Sequence, residues 1–401
     1  MSGSAINRRQ LLGVLGAVGA GAAVGGCGSS VGEGDDGTSD GGGGEVKVGL
    51  VVPQAGVYAP LGTDMQRAWD LWLEREGDTF GDYTIATATA DEGETPQTGV
   101  AAVQQLLQRD QVDILVGIVS SATALGVADM VNEAQKVLII ANAGANDITG
   151  AARSPYIWRT SFTNSQVAAP MGEHLSGTVA TAYVIASDYA AGAEAIAGFR
   201  DGFTSGGGEV VGESNPPFGQ TQDYQPFISQ IQASGAEATF CFFAGAEAVA
   251  FVEQYAQFGL SSQIPLYGSG FLTEGGVLEA QGDAALGVQT TLHYSIELDN
   301  AANQEFRTAY EEKYGAAPTV YAVQTWDAAN VLSRALRTAT GLGGDAVGAA
   351  LGSIGTIDDS PRGPWSFDGQ SPRQAFYLRQ VEQRGDALVN AVVSDLGESS
   401  Q

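Results

Sequence analysis

The stretch Val112–Asn142, VDILVGIVSSATALGVADMVNEAQKVLIIAN, decides the fold class. VDILVGI reads as a buried strand, with the run Ile114-Leu115-Val116 stopping at a glycine. Ser120, Ser121 and Thr123 follow, opening a segment that reads as helix through Gln135, and VLIIAN (137–142) is a second strand. Strand, helix and strand in so short a span predict parallel neighbours covered by helices. The three hydroxyls have an ordinary reading, helix capping. They have a sharper one as well, since the same helix N–H groups and the dipole's positive end can hold a carboxylate.

Outward from this unit the pattern repeats. VKVGLVV (46–52) and YTIATATA (83–90) are strands, and GTDMQRAWDLWLERE (62–76) is a helix with Met65, Ala68, Trp69, Trp72 and Leu73 on one side. Thr95 caps a further helix with Pro96 at its first position, running to about Arg109. After Thr160 the alternation restarts: helices near 165–178, 190–204, 223–234 and 246–259 separate strands at 181–187, 208–213, 238–244 and 264–270. Two α/β lobes in series are expected. The C-terminal part differs, with two helices (NQEFRTAYEEKYG and VYAVQTWDAANVLSRALRTATG) and a hairpin around Arg384-Gly385-Asp386. These pieces complete the two lobes, so the chain crosses between them more than once.

The chain has 401 residues, 44% of them hydrophobic, enough for two domains with real cores. A formal net charge of −28 with only three lysines, Lys47, Lys136 and Lys313, argues against nucleic acid and anionic lipid surfaces as partners. Cys27 and Cys241 lie far apart, so no metal-ligand or redox pair is expected. Cys241 in ATFCFFAG reads as a small core residue. The chain shows no zinc motif, nucleophile elbow, phosphate loop or dinucleotide fingerprint, and its two histidines, His174 and His293, are isolated. No enzyme and no cofactor is expected.

The first 45 residues do not read as fold. NRRQLLGVLGAVGAGAAVGGCGSS places Arg8-Arg9 before an apolar run of small residues, an export signal of twin-arginine character. Val24-Gly25-Gly26-Cys27 resembles a lipobox, which makes Cys27 the expected lipid-bearing residue; the plainer alternative is a secretory signal with an incidental cysteine. GSSVGEGDDGTSDGGGGE then reads as a flexible tether. Residues 1–26 are assigned to the signal, 27–45 to the tether, 46–163 with about 293–362 to the first lobe, 164–292 with about 363–392 to the second, and 393–401 to a tail.

Seven blocks in order carry a family resemblance. VGLVVPQAGVYAPLGTDMQRAWDLWLERE, DEGETPQTGVAAVQQLL, VDILVGIVSSATALGVADMVNEAQKVLIIANAGANDIT, YIWRTSFTNS, VIASDYAAGAEAIAGFRDGF, FGQTQDYQPFISQIQASGAEATFCFFAG and YEEKYGAAPTVYAVQTWDAANVL are similar to the branched-chain amino-acid-type (periplasmic-binding-protein type I) solute-binding proteins of ABC transporters, in lipoprotein form. The resemblance covers about 46–390. It implies two doubly wound parallel-sheet lobes joined by a multi-crossing hinge, with a small solute captured between them and delivered to an ABC permease. It further implies an exported monomer whose lipid anchor alone touches the membrane, at the outer face of the cytoplasmic membrane. A ligand-sensing receptor subunit for a membrane kinase is the alternative role.

The resemblance also marks cleft positions, all beyond strand carboxyl ends where such sheets bind ligands. Ser120, Ser121, Gly144, Ala145 and Asn146 are candidates for a carboxylate or similar acceptor. Tyr58, Asp188, Tyr189, Ala244, Gly270 and Phe271 are the others. Amino-acid binders of this family meet the ligand ammonium with an acidic group on the second lobe, and that position falls near Gly270; a family tyrosine falls near Ala244. An ammonium left unpaired would cost several kcal/mol. This departure argues against a plain α-amino acid and leaves room for an aromatic carboxylate against Tyr58, Tyr189 or Phe271, with Asp188 or Glu247 as possible counter-charges.

Overall fold

The computed structural model describes residues 43–401; the export signal, Cys27 and most of the tether lie outside the described residues. The first sheet contains β1 (Glu45–Val52), β2 (Thr79–Phe80), β3 (Tyr83–Asp91), β4 (Ile114–Gly117), β5 (Val137–Ile140) and β6 (Ile157–Arg159), in the order β2-β3-β1-β4-β5-β6. Every neighbouring pair is parallel except the short β2–β3 hairpin. Helices α1 (Ala59–Glu76), α2 (Pro96–Gln108) and α3 (Ser121–Ala134) connect them. Thr95 caps α2 and Ser120 caps α3 with their hydroxyls, and Gly77 ends α1 in the left-handed conformation.

The second lobe winds in the same sense through α4 (Asn164–Ser176), β7 (Thr181–Ala186), α5 (Ala190–Ser205), β8 (Glu209–Ser214), α6 (Gln225–Ser234), β9 (Ala238–Phe242), α7 (Gly245–Gln257), β10 (Leu266–Ser269), α8 (Gly276–Gln281) and β11 (Gln289–Leu292). The chain then returns to the first lobe as α9 (Ala301–Tyr314), α10 (Val320–Leu336) and α11 (Gly344–Gly352). There Trp326 of α10 packs edge-on against Trp72 of α1 at 4.6 Å and tilted against Phe306 of α9 at 4.8 Å. A last crossing adds β12 (Thr356–Ile357), β13 (Trp365–Asp368), β14 (Ser371–Arg384) and β15 (Ala387–Ser399) to the second sheet. Its order is β12-β13-β14-β11-β10-β9-β7-β8, with β15 on β14.

Three details depart from the sequence reading. The second sheet is mixed: β12 to β15 pair antiparallel, with tight turns joining β13 to β14 and β14 to β15 and a longer loop joining β12 to β13. Thr356–Ile357, placed with the first lobe, joins this second sheet. Residues 393–401 are no tail: β15 runs to Ser399, whose carbonyl accepts from Gln166, and the Gln401 side chain bonds Thr149.

Where the crossings meet, polar groups are paired in the dry interior. Asn142 donates to Gln324 Oε1 at 2.8 Å, Gln324 Nε2 lies 3.1 Å from His293 Nε2, and Thr160 donates to the Gln324 carbonyl. Asp327 and Arg362 form a fully buried ion pair at 2.8 Å, with Ser360 donating to the carboxylate. Burial pushes Asp327 up to about 6, with Arg362 pulling the other way. Cys241 is a buried core residue. All three lysines belong to the first lobe, where Lys47 donates to the Asp110 carbonyl, Lys136 pairs with Asp113, and Lys313 of α9 pairs with Glu74. No helix among the described residues is long and apolar enough to cross a membrane.

Candidate functional site

On the first lobe the site begins with a sharp turn after β4. Gly117 sits at φ +124°, where a side chain would collide with the Val51 carbonyl, and Ile118 at φ +67° donates to that same carbonyl. The turn raises Val119 and Ser120 to the start of α3. Ser120 Oγ accepts from the Thr123 N–H, and Ser121 Oγ accepts from the Ala145 N–H at 3.0 Å. Both hydroxyls keep a proton to donate. The Val119 and Ser120 N–H groups, however, donate at 2.8 Å each to the two oxygens of Glu92, a residue just past β3 and only 1% exposed. Burial holds the Glu92 carboxyl above the usual carboxylate range, against the pull of those N–H groups.

The turn Gly144–Asn146 lies beside Ser121. A Cβ at Gly144 would meet the Phe162 ring, and the Gly144 carbonyl accepts from the Asn164 N–H at 2.7 Å. Beneath it the fully buried Arg159 guanidinium donates to the carbonyls of Ala143, Phe162 and Ala145. Burial lowers Arg159 to about 9, which leaves it charged at neutral pH. Asn146 is already engaged: its N–H donates to Glu194 of α5 at 3.1 Å, and its Oδ1 accepts from Ser165. The structure therefore ties Asn146 to the second lobe.

On the second lobe Tyr189 opens α5 with its ring stacked on Phe218 at 4.5 Å. Phe271, in the turn after β10, lies between Phe162 at 4.7 Å and Tyr321 at 6.2 Å, with Phe242 edge-on at 6.4 Å. Tyr58 ends the turn Gly56–Tyr58, and burial first, then the charges of Glu247 and Glu92, raise its phenol. Tyr189 is raised by burial, then by Tyr58, Glu247 and Tyr321. These phenols stay protonated and can donate. The Tyr58 phenol senses Glu92 and Glu247, and the Tyr189 phenol senses Tyr58, so groups of both lobes lie near one another at these strand ends.

Other expected positions are placed differently. Gly270 faces the protein interior: its carbonyl accepts from Arg379 at 3.0 Å, and a Cβ would strike Arg379 and Leu292. Ala244 caps α7, whose Glu247 accepts from Ser187 Oγ at 2.8 Å and the Gly219 N–H at 2.7 Å. Glu247 thereby ties down the strap that carries Phe218. Asp188 is exposed, with its N–H on the Pro216 carbonyl. A separate groove of about 1070 Å³, lined among others by Asp64, Arg67, Glu274, Arg307 and Asn390, contains none of the expected solute residues. Among the described residues no cluster of three or more His, Cys, Asp or Glu could hold a metal.

Sequence reasoning missed Glu92, Phe162, Glu194, Phe218, Phe242 and Tyr321. Glu92 follows β3 as Ser120 follows β4, so the strand-end rule that marked the serines would have marked it too. The others come together only through the winding of the second lobe and the return of α10.

Two wound lobes crossed three times, with a hydroxyl-bearing aromatic wall at facing strand ends, define a two-lobed binding protein of the type I periplasmic fold. Residues 45–386 match the periplasmic binding protein family, and the chain belongs to that family. Leu/Ile/Val-binding protein homolog 6 of Brucella melitensis is 32% identical over 349 residues, covering 85% of this chain and 88% of that protein. A solute-binding protein of an ABC transporter from R. palustris, solved with benzoate, is 34% identical with a TM-score of 0.80, over 89% of this chain and 98% of that one. A second, from Rhodopseudomonas palustris BisB5 with 3,4-dihydroxy benzoic acid, is 33% identical with a TM-score of 0.80, over 88% and 97%.

Proposed function

We propose that this protein captures a small aromatic carboxylate between its lobes and delivers it to an ABC importer. Tyr58, Ser120, Ser121, Gly144, Ala145, Tyr189 and Phe271 form the site. The observation that carries the reading is the set of aromatic rings at a site where the expected acid is missing or engaged: Gly270 excludes a side chain, and Glu92 and Glu247 already accept hydrogen bonds from the protein. Serine hydroxyls and neutral phenols supply donors for the solute's carboxylate. The solved relatives with benzoate and dihydroxybenzoate favour the same class. Such a protein turns nothing over; it closes on its solute and is read in the closed form.

The chain acts as an exported monomer held to the outer face of the cytoplasmic membrane by a lipid on Cys27, its residues 46–163 and 293–355 forming one lobe and most of the remainder the other. Thermal shift with benzoate, hydroxybenzoates, leucine and valine tests the solute. A saturable rise with an aromatic acid and none with leucine or valine is expected, and the reverse pattern would return the protein to the amino-acid binders. Anchoring is tested by fractionating cells that express the Cys27→Ser form, which should leave the membrane.

A further inference from the structure

Glu92 contacts no solute in that reading, yet it stands at the wall where the solute's acid group would arrive. Its two oxygens occupy the Val119 and Ser120 N–H groups, the backbone donors that a carboxylate entering the α3 turn would otherwise meet. The groups facing it are known from each neighbouring element. Asp91 adjoins it at the strand end, its own carboxylate receiving the Gln54 and Gly93 N–H groups. Tyr58 comes from the turn after β1. The first turn of α2 brings Thr98, whose hydroxyl bonds the Glu92 carbonyl, and no acidic residue. From α3 come Ser120 and Thr123, and from the second lobe Glu247 raises the same Tyr58 phenol that Glu92 does. None of these is a cation. An anionic solute here is the third carboxylate around one phenol, and like charges at close range raise one another's carboxyl titration.

We infer that capture of an anionic aromatic acid is coupled to uptake of one proton by Glu92, which makes Glu92 the residue that sets specificity at the first-lobe wall. This rests on the solute class proposed above. The proton comes from solvent and resides on a Glu92 oxygen, while the solute keeps its carboxylate form. Thr123 Oγ1, fully buried beside the Glu92 carboxyl, favours the charged form as a donor and can turn to accept the new O–H once Glu92 is protonated. A bound anion disfavours the charged form of Glu92, so Glu92 titrates at higher pH in the complex than in the free protein. Affinity therefore tightens as pH falls through the interval between those two values, by at most about tenfold per pH unit.

Isothermal titration of the full chain with benzoate, from about pH 8 to about pH 5 and in two buffers of different ionisation enthalpy, tests this. Benzamide, which is neutral and of the same shape, is the control. The wild type should bind benzoate about tenfold more tightly at the acid end with net proton uptake, and benzamide with no pH dependence. Glu92→Gln should bind benzoate with the same affinity from the alkaline to the acid end and with no proton uptake, since it has no carboxyl to protonate. A flat benzoate profile in the wild type, or an unchanged slope in Glu92→Gln, would overturn the role of Glu92 and leave the solute class standing. Benzoate binding to neither protein at any pH would overturn the solute class and this inference with it. The Thr123→Val protein, whose helix is otherwise intact, should shift the proton-uptake curve; a structural role alone would leave that curve in place.

Discussion

At the scale of single residues, the site is decided by which hydrogen-bonding groups remain available. Ser121 spends its acceptor on the Ala145 N–H and keeps its proton free to donate, which in the proposed site would go to the solute. Ser121→Ala removes both, and benzoate affinity should fall about tenfold in calorimetry, the worth of one charge-assisted bond. Gly270 gives the opposite lesson. Restoring the family's acid with Gly270→Asp should not create an amino-acid binder, because the new carboxylate would be driven into Leu292 and Arg379. Denaturant unfolding should show a loss of about 1–3 kcal/mol, and leucine should still give no thermal shift. The serines were legible from sequence because a strand-to-helix turn carries its own signature. The orientation of Gly270 was not, since it depends on β11 and β14 lying behind it.

At the scale of elements, α10 shows how tightly the returning segment is fixed. It is buried along almost its whole length and carries Asp327 against Arg362 from the loop before β13. Arg362→Met would leave the Asp327 charge unpaired in the interior, and unfolding free energy at pH 7 should drop by about 3–5 kcal/mol. The pH dependence has a definite sign. Asp327 binds its proton more tightly folded, at about 6, than unfolded, at about 4. Its contribution to stability is therefore complete below about pH 4 and is lost as pH rises through about 6. Asp327→Asn should flatten that part of a stability-against-pH curve measured by urea denaturation. Periodicity exposed α10 as a helix, and the alternation of strands and helices gave both wound halves. The two-residue strands β2 and β12 were invisible, because their pairing rather than any apolar run creates them.

At the scale of the whole molecule, several polar contacts join the lobes, among them Glu274 with the Val320 N–H, and Glu194 is the one beside the candidate site. Its carboxylate on α5 accepts from the Asn146 N–H of the first lobe and from Asn164 at the crossing. Glu194→Ala removes an attachment that exists only when the lobes are close. Apparent solute affinity should fall about tenfold as the closed population shrinks. Small-angle scattering of the solute-free protein should show a larger radius of gyration, while the melting temperature stays nearly fixed. Measuring no change in either affinity or scattering would remove Glu194 from the closing motion. Sequence pattern foretold two lobes and repeated crossings, but not this contact, which joins residues from separate wound units.

The placement of the lysines has a practical side. All three lie in the first lobe, and the one cysteine among the described residues is sealed in the second. Amine-reactive dyes aimed at the described part of the chain would colour one lobe alone. A single cysteine introduced on an exposed helix of the other lobe could then carry a second dye with a different chemistry. The protein is in this sense already arranged as a two-colour distance gauge, in which opening and closing become a change in energy transfer.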